Sequence, residues 1–494
     1  MFRKIRGNKN VLALALMIFI SCLIQVLTIM KSSIVAGYFG TSAEMDAFNF
    51  SFNIVTFIFS FVAAGISTIV IPEYVRRNNR KEVDSFLTAV FGVLLIISMI
   101  IILIRTPLVS ILTNRDENFV ILSGNILIIL FISYFLSSIT NVTGAYFQCE
   151  NRFNTPKVIN LIAQLAVVIV LLVHHNISIY EYSWIIAGGL LVNFIIDTLV
   201  ALKLGWRYKP SFRFNDKTKH FADLFIPVLV STGIYRISLL VDTVISSRLD
   251  AGSITILSYS NQISGMVNSL IIGNLLIYCY PKIVKNINEN RNQSTFWNQT
   301  VFFHAVLCLI ILGFAAVGQE GISLLFEHGK FKHDATMTVY YCCLIYIFGQ
   351  QSNVIRDLVY RYFYALGDTI TAAKNSVLIG IINIVISILL SMWIGLYGIV
   401  LGTIIASAVS LIAILIKFKR IIGFEIVFLK VIKTYVSSEL IMIASMFIVF
   451  ITKKYVSIQS NIISILIFGI ESIVLFIVLT YLFNKKVIRA SKYI

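Results

Sequence analysis

Long apolar runs recur along almost the whole chain and alternate with short polar stretches. A helix needs about 20 mostly apolar residues to cross the hydrocarbon core of a bilayer, and about fourteen runs approach this length. They lie approximately at residues 11–30, 47–72, 86–104, 119–140, 158–173, 183–202, 222–247, 255–281, 298–318, 337–355, 375–394, 397–416, 435–452 and 462–483. The pattern predicts an all-α polytopic membrane protein with about 14 transmembrane helices.

The composition excludes a soluble domain. Hydrophobic residues make up 58% of the chain and charged residues 13%, whereas soluble domains have about 45–50% and about 25%. Arg3, Lys4 and Arg6 precede the first apolar run as they would in a signal peptide. No small-residue cleavage pattern follows that run, so an uncleaved first helix is predicted.

The distribution of Lys and Arg among the loops predicts the orientation of the chain. The ends and loops on one side hold 31 of the 40 Lys and Arg residues, and the loops on the other side hold 8. Because cytoplasmic loops accumulate these residues, both termini are predicted to be cytoplasmic. The net charge of +17 then reflects topology and attraction to anionic membrane lipids, and it implies no nucleic-acid partner.

Two pairs of similar segments indicate an internal repeat. One pair has an offset of 209 residues, and its members carry Pro72 and Pro281; the other has an offset of 216 and includes Tyr146-Phe147 and Tyr362-Phe363. The pairs match the second predicted span with the eighth and the fourth with the tenth, so the repeated unit contains six spans.

An even number of spans per repeat keeps both copies in the same orientation. We predict two parallel six-helix lobes, at residues 1–205 and 206–417, followed by two C-terminal helices within residues 418–494. Lobes of this kind are typical of transporters that expose a midplane site to each side in turn.

Several charged side chains fall within or at the ends of the predicted spans, where a charge is costly unless it faces water or a partner. They are Lys31, Asp46, Asp197, Arg236, Asp242, Arg248, Arg356, Asp357, Glu439 and Glu471. Arg236 and Asp242 are six residues apart, which places them about 240° apart around a helix. Arg236 is therefore expected to meet another helix or a ligand phosphate; a structural ion pair or snorkelling is the alternative throughout.

The cysteines indicate neither disulfides nor a metal cluster. They contain no C-x-x-C pair and lie mostly in apolar spans, where cysteine usually acts as a small hydrophobic residue. The six are Cys22, Cys149, Cys279, Cys308, Cys342 and Cys343.

Four short motifs resemble those of the MurJ/MviN lipid II flippases, a family of the MOP transporter superfamily. In chain order they are Phe39-Gly40-Thr41 through Asp46-Ala47-Phe48, Asn151-Arg152-Phe153 with Pro156, Leu325-Phe326-Glu327-His328-Gly329-Lys330-Phe331 through Thr336, and Phe363-Tyr364-Ala365 through Asp368-Thr369. With the fourteen spans and the repeat, the resemblance covers nearly the whole chain.

The resemblance implies a flippase of the bacterial cytoplasmic membrane. Its substrate would be an undecaprenyl-pyrophosphate-linked glycan precursor, carried from the cytoplasmic to the outer leaflet without a covalent step. The last two helices would form a groove for the lipid tail, in which Glu439 and Glu471 have no assigned role. Lys and Arg suit a pyrophosphate, and the candidate substrate-binding residues are Lys31, Asp46, Arg236, Arg248 and Gln262.

The chain departs from the family pattern at several cationic positions. Lys31-Ser32 stands where the family has Arg-Asp, Phe59 stands where it has an arginine in helix 2, and Ala64 stands where it has a glutamate close to that arginine. In helix 8 the family often has an arginine directly after a Tyr-Ala-Asn or Tyr-Ala-Asp run, and this chain has Gln262 after Tyr259-Ser260-Asn261. These departures leave open a capsule, exopolysaccharide or O-antigen repeat unit as the substrate.

The resemblance also implies a monovalent cation site and no other cofactor, with Na⁺ or H⁺ coupling. The matching positions are Asp242, Asn383, Ser387 and Thr403, whose oxygen atoms suit a hard cation. Ser387 stands where a second carboxylate can occur in the family, and a hydrogen-bonded, purely structural Asp242 is the alternative.

Three other functions stay open at this point. The first is a MOP-type cation-coupled drug exporter. The second is a membrane-embedded polysaccharide polymerase, although no H-E-x-x-H, Gly-rich phosphate loop or G-x-S-x-G motif occurs. The third is a scaffold for cell-wall or polysaccharide synthesis enzymes, which are also the predicted protein partners of a flippase.

Overall fold

The computed structural model describes residues 2–66, 70–71, 80–174, 176–213, 215–269, 283, 293–423, 427–456 and 458–490. Within these ranges the chain forms helices joined by short turns, and the contacts among them divide the chain into a first unit, Met1–Thr255, and a second unit, Ile256–Ile494. The predicted all-α class is confirmed.

The helices of the first unit are α1 (Phe2–Phe39), α2 (Ala43–Gly65), α3 (Arg80–Leu103), α4 (Arg105–Leu112), α5 (Glu117–Cys149), α6 (Thr155–Val173), α7 (Ile179–Lys203) and α8 (Asp216–Ser247). Helix α9 (Ser253–Val267) begins in this unit and continues into the second. The second unit contains α10 (Ser294–Phe326), α11 (His333–Ala365), α12 (Thr369–Ile394), α13 (Leu396–Ile421), α14 (Val427–Tyr455), α15 (Asn461–Phe483) and α16 (Lys485–Ala490).

A helix occupies all or part of each of the fourteen predicted spans. In the described part of the chain, ten helices are long and apolar enough to cross a membrane: α1, α3, α5, α6, α7, α10, α12, α13, α14 and α15. The other predicted spans contain α2, α8, α9 and α11; α8 and α11 carry charged side chains within the helix, such as Arg236 and Arg356, and α9 has 15 described residues. The chain is thus a multi-pass membrane protein, and the number fourteen stays a prediction.

The boundary between the contact units differs from the predicted lobe boundary at residue 205. Helix α8 packs against α2 and α3 and therefore belongs to the first unit. The predicted repeat groups spans by sequence similarity, whereas these units group them by contact. The division at 205 and 417 stays a prediction.

In the first unit, α5 lies at the centre and packs against α2, α4 and α7. The core is aromatic, because Phe50, Phe131 and Phe147 are almost completely buried. Helix α6, in contrast, has an exposed apolar face. Side chains along it, such as Ile162 and Ile169, are about half exposed. A face of this kind suits contact with lipid.

In the second unit, α10 packs against α11, α14 and α15, and its residues are mostly buried. Helices α12 and α13 form a tight hairpin joined at Gly395, whose φ of 57° is unfavourable for other residues. The hairpin is close because of Gly398: a Cβ atom there would lie 2.3 Å from the backbone carbon of Leu390.

The four motifs of the family resemblance lie where helices are joined. Asn151 has a φ of 58° in the turn after α5, and Pro156 lies in the first turn of α6. Asp368 caps α12 by accepting a hydrogen bond from the Thr371 backbone N–H. Phe326 and Phe331 pack around the ring of Tyr259. These motif residues therefore shape the turns between helices.

Candidate functional site

Asp46, near the start of α2, is a buried joint within the first unit. Its carboxylate accepts hydrogen bonds from Gly252 N at 2.7 Å, Thr255 N at 2.8 Å and Thr255 Oγ1 at 2.7 Å. It therefore holds the first turn of α9 as a capping group does. Its side chain is completely buried. These contacts give Asp46 a structural role, and its assignment to the substrate stays a prediction.

Arg115 completes this joint, although in the sequence it is marked only as a charge in a loop. Its Nη2 lies 3.5 Å from Asp46 Oδ2 and 2.9 Å from the carbonyl oxygen of Asp250. Its Nε donates to the carbonyl oxygen of Ser247 at 2.8 Å. The guanidinium thus satisfies carbonyl groups at the end of α8 and anchors the α8–α9 turn to the start of α5.

Arg236 lies in the middle of α8 and is the charged side chain most suited to a ligand in this unit. Its Nε is buried and has no hydrogen-bond partner within the described part of the chain. Asp242, on the same helix, is also buried, and the adjacent Thr243 accepts a hydrogen bond from Asn53 of α2 at 3.1 Å. As the spacing predicted, Arg236 and Asp242 do not form an ion pair.

The other predicted substrate-binding residues are Lys31, Arg248 and Gln262. Lys31 is partly buried and lies about two turns before the end of α1. Arg248 is the exposed residue that ends α8. Gln262, on α9, belongs to the second unit. A substrate contact at each of these three residues stays a prediction.

Three of the four predicted cation ligands meet in the α12–α13 hairpin. Ser387 Oγ donates to Asn383 Oδ1 at 3.0 Å and lies 3.4 Å from the carbonyl oxygen of Ile399. Thr403 Oγ1 donates to the same carbonyl at 3.2 Å. The fourth, Asp242, belongs to the first unit, and cation binding by this set stays a prediction.

The structure provides partners for several charges that the sequence left unexplained. Asp197 accepts a hydrogen bond from Thr143, and Arg356 lies 3.5 Å from Asp357 in an ion pair of neighbours. Glu471 accepts a hydrogen bond from Thr452 Oγ1 at 3.0 Å. These charges thus have polar partners, as a low-dielectric environment favours.

The last two long helices are attached to α10 by polar contacts near one end. Lys453 forms an ion pair with Glu320 and donates to the carbonyl oxygen of Ala316 at 2.9 Å. Asn461 Nδ2 donates to Ser323 Oγ at 3.2 Å. In the second unit, α14 and α15 are therefore fixed against α10 at this end.

Phe59 shows what replaces a family arginine in α2. Its ring is buried and packs against the rings of Phe131 and Tyr134 of α5, each at a centroid distance of 6.0 Å. The side chain of Ala64, at the other departure in this helix, lies outside the described residues. An aromatic core contact thus occupies a position where the family pattern has a cation.

Comparisons with known proteins agree on one family. The family model for the lipid II flippase MurJ matches residues 35–481. A probable lipid II flippase MurJ of Buchnera aphidicola subsp. Baizongia pistaciae is 23% identical over 391 residues, which cover 75% of each chain. One from Thermotoga maritima is 22% identical over 414 residues, covering 80% of this chain and 82% of the relative.

Solved structures show the same fold. A lipid II flippase MurJ in an inward closed conformation matches with a TM-score of 0.79 and 19% identity, covering 96% of this chain and 100% of the other. An inward-facing multidrug resistance MATE family transporter of the MOP superfamily matches with a TM-score of 0.66 and 13% identity, covering 81% of this chain and 94% of that one.

Proposed function

The chain belongs to the lipid II flippase MurJ family, and from this premise we propose that it carries an undecaprenyl-pyrophosphate-linked glycan precursor from the cytoplasmic to the outer leaflet. The observation that carries the proposal is the family match across residues 35–481. Membership makes the chain a multi-pass transporter of the bacterial inner membrane. Lipid II is the substrate that we propose first.

A pyrophosphate needs cationic partners to cross a bilayer, because its charges lose their hydration. Arg236 offers one, since its buried Nε lacks a partner within the described residues. A buried donor without an acceptor costs free energy, and a phosphate oxygen supplies a charge-assisted hydrogen bond. Lys31 and Arg248 are the further cations of the first unit that we assign to the head group.

The cycle that we propose is alternating access. Two lobes built from repeated six-helix units rock against one another, so that a site near the midplane opens to one leaflet and then to the other. No covalent step is needed. Na⁺ or H⁺ coupling through Asp242, Asn383, Ser387 and Thr403, and association with cell-wall synthesis enzymes, are parts of this proposal that rest on the resemblance alone.

A second candidate substrate is a capsule-type or other polysaccharide repeat unit on the same lipid carrier. The observation that favours it is Phe59, which is buried in the aromatic core of the first unit where the family pattern has an arginine. Fewer cations around the head group suit a substrate with fewer acidic groups. Both candidates share the pyrophosphate and the lipid, so the assay must separate them by head group.

The decisive experiment replaces the resident lipid II flippase of a bacterial host with this chain. After depletion of the host flippase, the fraction of lipid II accessible to an external, membrane-impermeant modifying enzyme is measured. We expect this chain to restore accessibility. Arg236→Ala should reduce it nearly to the level of depleted cells, and Arg236→Lys should restore it only partly, because lysine lacks the fork geometry of arginine.

Arg105→Ala is the matched control. Arg105 also lies in the first unit, but its guanidinium already donates to the carbonyl oxygen of Ile102. We expect this variant to keep the activity of the parent chain. If the well-expressed parent chain leaves lipid II inaccessible, lipid II is excluded, and the same assay with capsule-type precursors tests the second candidate.

A further inference from the structure

Four polar side chains from three helices converge inside the second unit. His304 and Cys308 lie one turn apart on α10, and Glu439 of α14 reaches both. Glu439 Oε1 lies 3.0 Å from His304 Nε2 and 3.7 Å from Cys308 Sγ. Gln351 of α11 donates to the same carboxylate oxygen at 2.7 Å and lies 3.8 Å from the sulfur. We refer to these four residues as the α10–α14 cluster.

The cluster combines the side-chain types that hold zinc and similar ions in proteins. Imidazole nitrogen, thiolate sulfur and carboxylate oxygen bind Zn²⁺ at about 2.0–2.3 Å, and tetrahedral geometry then separates the ligand atoms by about 3.3–3.8 Å. One ligand atom each from His304, Cys308 and Glu439 lie within 4.8 Å of one another. Small rotamer adjustments would therefore bring all three to bonding distance from one ion.

Charge balance selects a divalent ion for this environment. A thiolate and a carboxylate carry two negative charges, and a neutral imidazole adds none, so a divalent cation leaves the site uncharged. A buried site without net charge avoids the large desolvation cost of an uncompensated ion. Sulfur and imidazole ligands also suit zinc-like ions better than Na⁺ or Mg²⁺.

The surroundings of the cluster hold the ligands in place. The His304 ring stacks on the Tyr435 ring with a centroid distance of 4.2 Å and an interplanar angle of 3°. Cys308 is fully buried beside the apolar side chains of Ile311 and Met442. The Glu439 side chain is 28% exposed, which gives an ion a path to the site. A turn of the Gln351 amide would present its oxygen as a fourth ligand.

We propose that His304, Cys308 and Glu439 bind a divalent transition-metal ion of the zinc class, with Gln351 or water as the fourth ligand. The bound ion would link α14 to α10, and through Gln351 to α11. This link would lie several turns along α10 from the Lys453–Glu320 ion pair. The proposal does not depend on the substrate of the transporter.

The test uses Co²⁺ as a spectroscopic substitute for zinc. The full chain is purified in detergent, freed of any polyhistidine tag and kept reduced with a phosphine. We expect one Co²⁺ per chain and a thiolate-to-cobalt charge-transfer absorption, which Zn²⁺ abolishes by displacement. Zn²⁺ should also raise the thermal unfolding temperature, because an ion that binds only the folded chain stabilises it.

The variants identify the ligands. Cys308→Ser should remove the charge-transfer band, and His304→Ala and Glu439→Gln should weaken Zn²⁺ binding by more than the roughly 10- to 100-fold that loss of an outer-shell partner costs. Cys343→Ser is the matched control, because Cys343 is equally buried but contacts Ser260 instead of the cluster. Size-exclusion chromatography establishes that each variant is folded.

Three results would overturn the proposal. The first is a folded parent chain that shows no charge-transfer band with Co²⁺, whatever the variants do. The second is a band that persists in Cys308→Ser. The third is a band that Cys343→Ser removes as completely as Cys308→Ser does. Since none of these measurements involves lipid transport, failure of the metal site and failure of the proposed function would be distinguished.

Discussion

Asp46 connects the start of α2 to the α8–α9 turn and the first turn of α9 through three hydrogen bonds, and to Arg115 before α5 through an ion pair. Asp46→Ala should lower the free energy of unfolding by about 3 kcal/mol, because it leaves the partly buried Arg115 without its carboxylate. The backbone N–H groups of Gly252 and Thr255 also lose their acceptor. Thermal or denaturant unfolding of the purified chain measures the change.

Asp250→Ala is the control for this substitution. Asp250 lies in the same turn, but its side chain is exposed and Arg115 uses only its backbone carbonyl. This variant should unfold within about 0.5 kcal/mol of the parent chain. Equal stability of Asp46→Ala and the parent chain would mean that the joint contributes nothing.

Glu327 gives a prediction that depends on pH. It lies between α10 and α11, where burial opposes its ionisation, yet hydrogen bonds, including one with His333 at 3.0 Å, lower the pKa of its carboxyl below the usual value near 4.5. A carboxyl whose pKa is lower in the folded state stabilises the fold at any pH above its unfolded-state pKa. This stabilisation is lost as the pH falls through the lowered, folded-state pKa.

Glu327→Gln should therefore cost about 0.5–1 kcal/mol at pH 7, because the side chain is partly exposed. The difference from the parent chain should shrink when unfolding is measured again at an acidic pH below the lowered pKa, where both the folded and the unfolded state bind the proton. Thermal unfolding at the two pH values measures it. A difference that grows on acidification would contradict the assignment.

Among individual residues, the sequence indicated the intramembrane charges but not their partners. The six-residue spacing of Arg236 and Asp242 was enough to predict that they do not pair. Glu439 was left without a role, because its partners His304 and Gln351 lie on α10 and α11, far away in sequence. The prediction of no metal cluster rested on the absence of a C-x-x-C pair and on the position of the cysteines in apolar spans, and it stays a prediction that the proposed metal site opposes. Spacing cannot reveal ligands that only helix packing brings together.

At the scale of helices, Gly398 sets how closely α12 and α13 pack. A Cβ atom at this position would lie 2.3 Å from the backbone carbon and 2.4 Å from the oxygen of Leu390. Gly398→Ala should therefore destabilise the second unit by about 1–3 kcal/mol, because the hairpin must open to accommodate the methyl group. Thermal unfolding in detergent measures this loss.

Gly313→Ala is the matched substitution on α10. A Cβ atom there meets nothing within 4 Å, so only helix propensity changes, and the variant should be as stable as the parent chain or more stable by up to about 1 kcal/mol. Equal effects of the two substitutions would show that the close approach at Gly398 is unimportant.

The apolar runs predicted the helices well but not their ends. The run at 119–140 lies inside α5, which extends to Cys149, and the run at 337–355 lies inside α11, which extends to Ala365. An apolar run measures the thickness of the hydrocarbon layer. Helix ends depend instead on local caps, such as Asp368 at the start of α12, and on contacts outside the membrane.

At the scale of the whole molecule, the sequence repeat and the packing describe different divisions of one chain. The repeat assigns α8 to a second lobe, whereas its contacts with α2 and α3 assign it to the first unit. Similar segments preserve ancestry, but packing depends on where connections allow a helix to lie. The fold class could be predicted because the number and length of apolar runs are global properties, to which single residues contribute little.

The orientation of the chain in the membrane is the global prediction that is still to be tested. The 31-to-8 distribution of Lys and Arg predicts that α16 is cytoplasmic and that the turn between α10 and α11 faces outward. Lys486 and Lys330 are exposed in these two places. In intact cells a membrane-impermeant thiol reagent should label Lys330→Cys, whereas Lys486→Cys should be labelled only after permeabilisation.

Both variants replace an exposed lysine with cysteine. They differ only in the side of the membrane on which the cysteine is predicted to lie. The parent chain measures any labelling of native cysteines, and Cys22→Ser is added to both variants because Cys22 is exposed on α1. The reverse pattern would mean that the charge asymmetry does not orient this chain. Labelling of both positions in intact cells would mean an even number of crossings between them, which is incompatible with the five predicted spans, α11 to α15, that lie between the outward turn and a cytoplasmic α16.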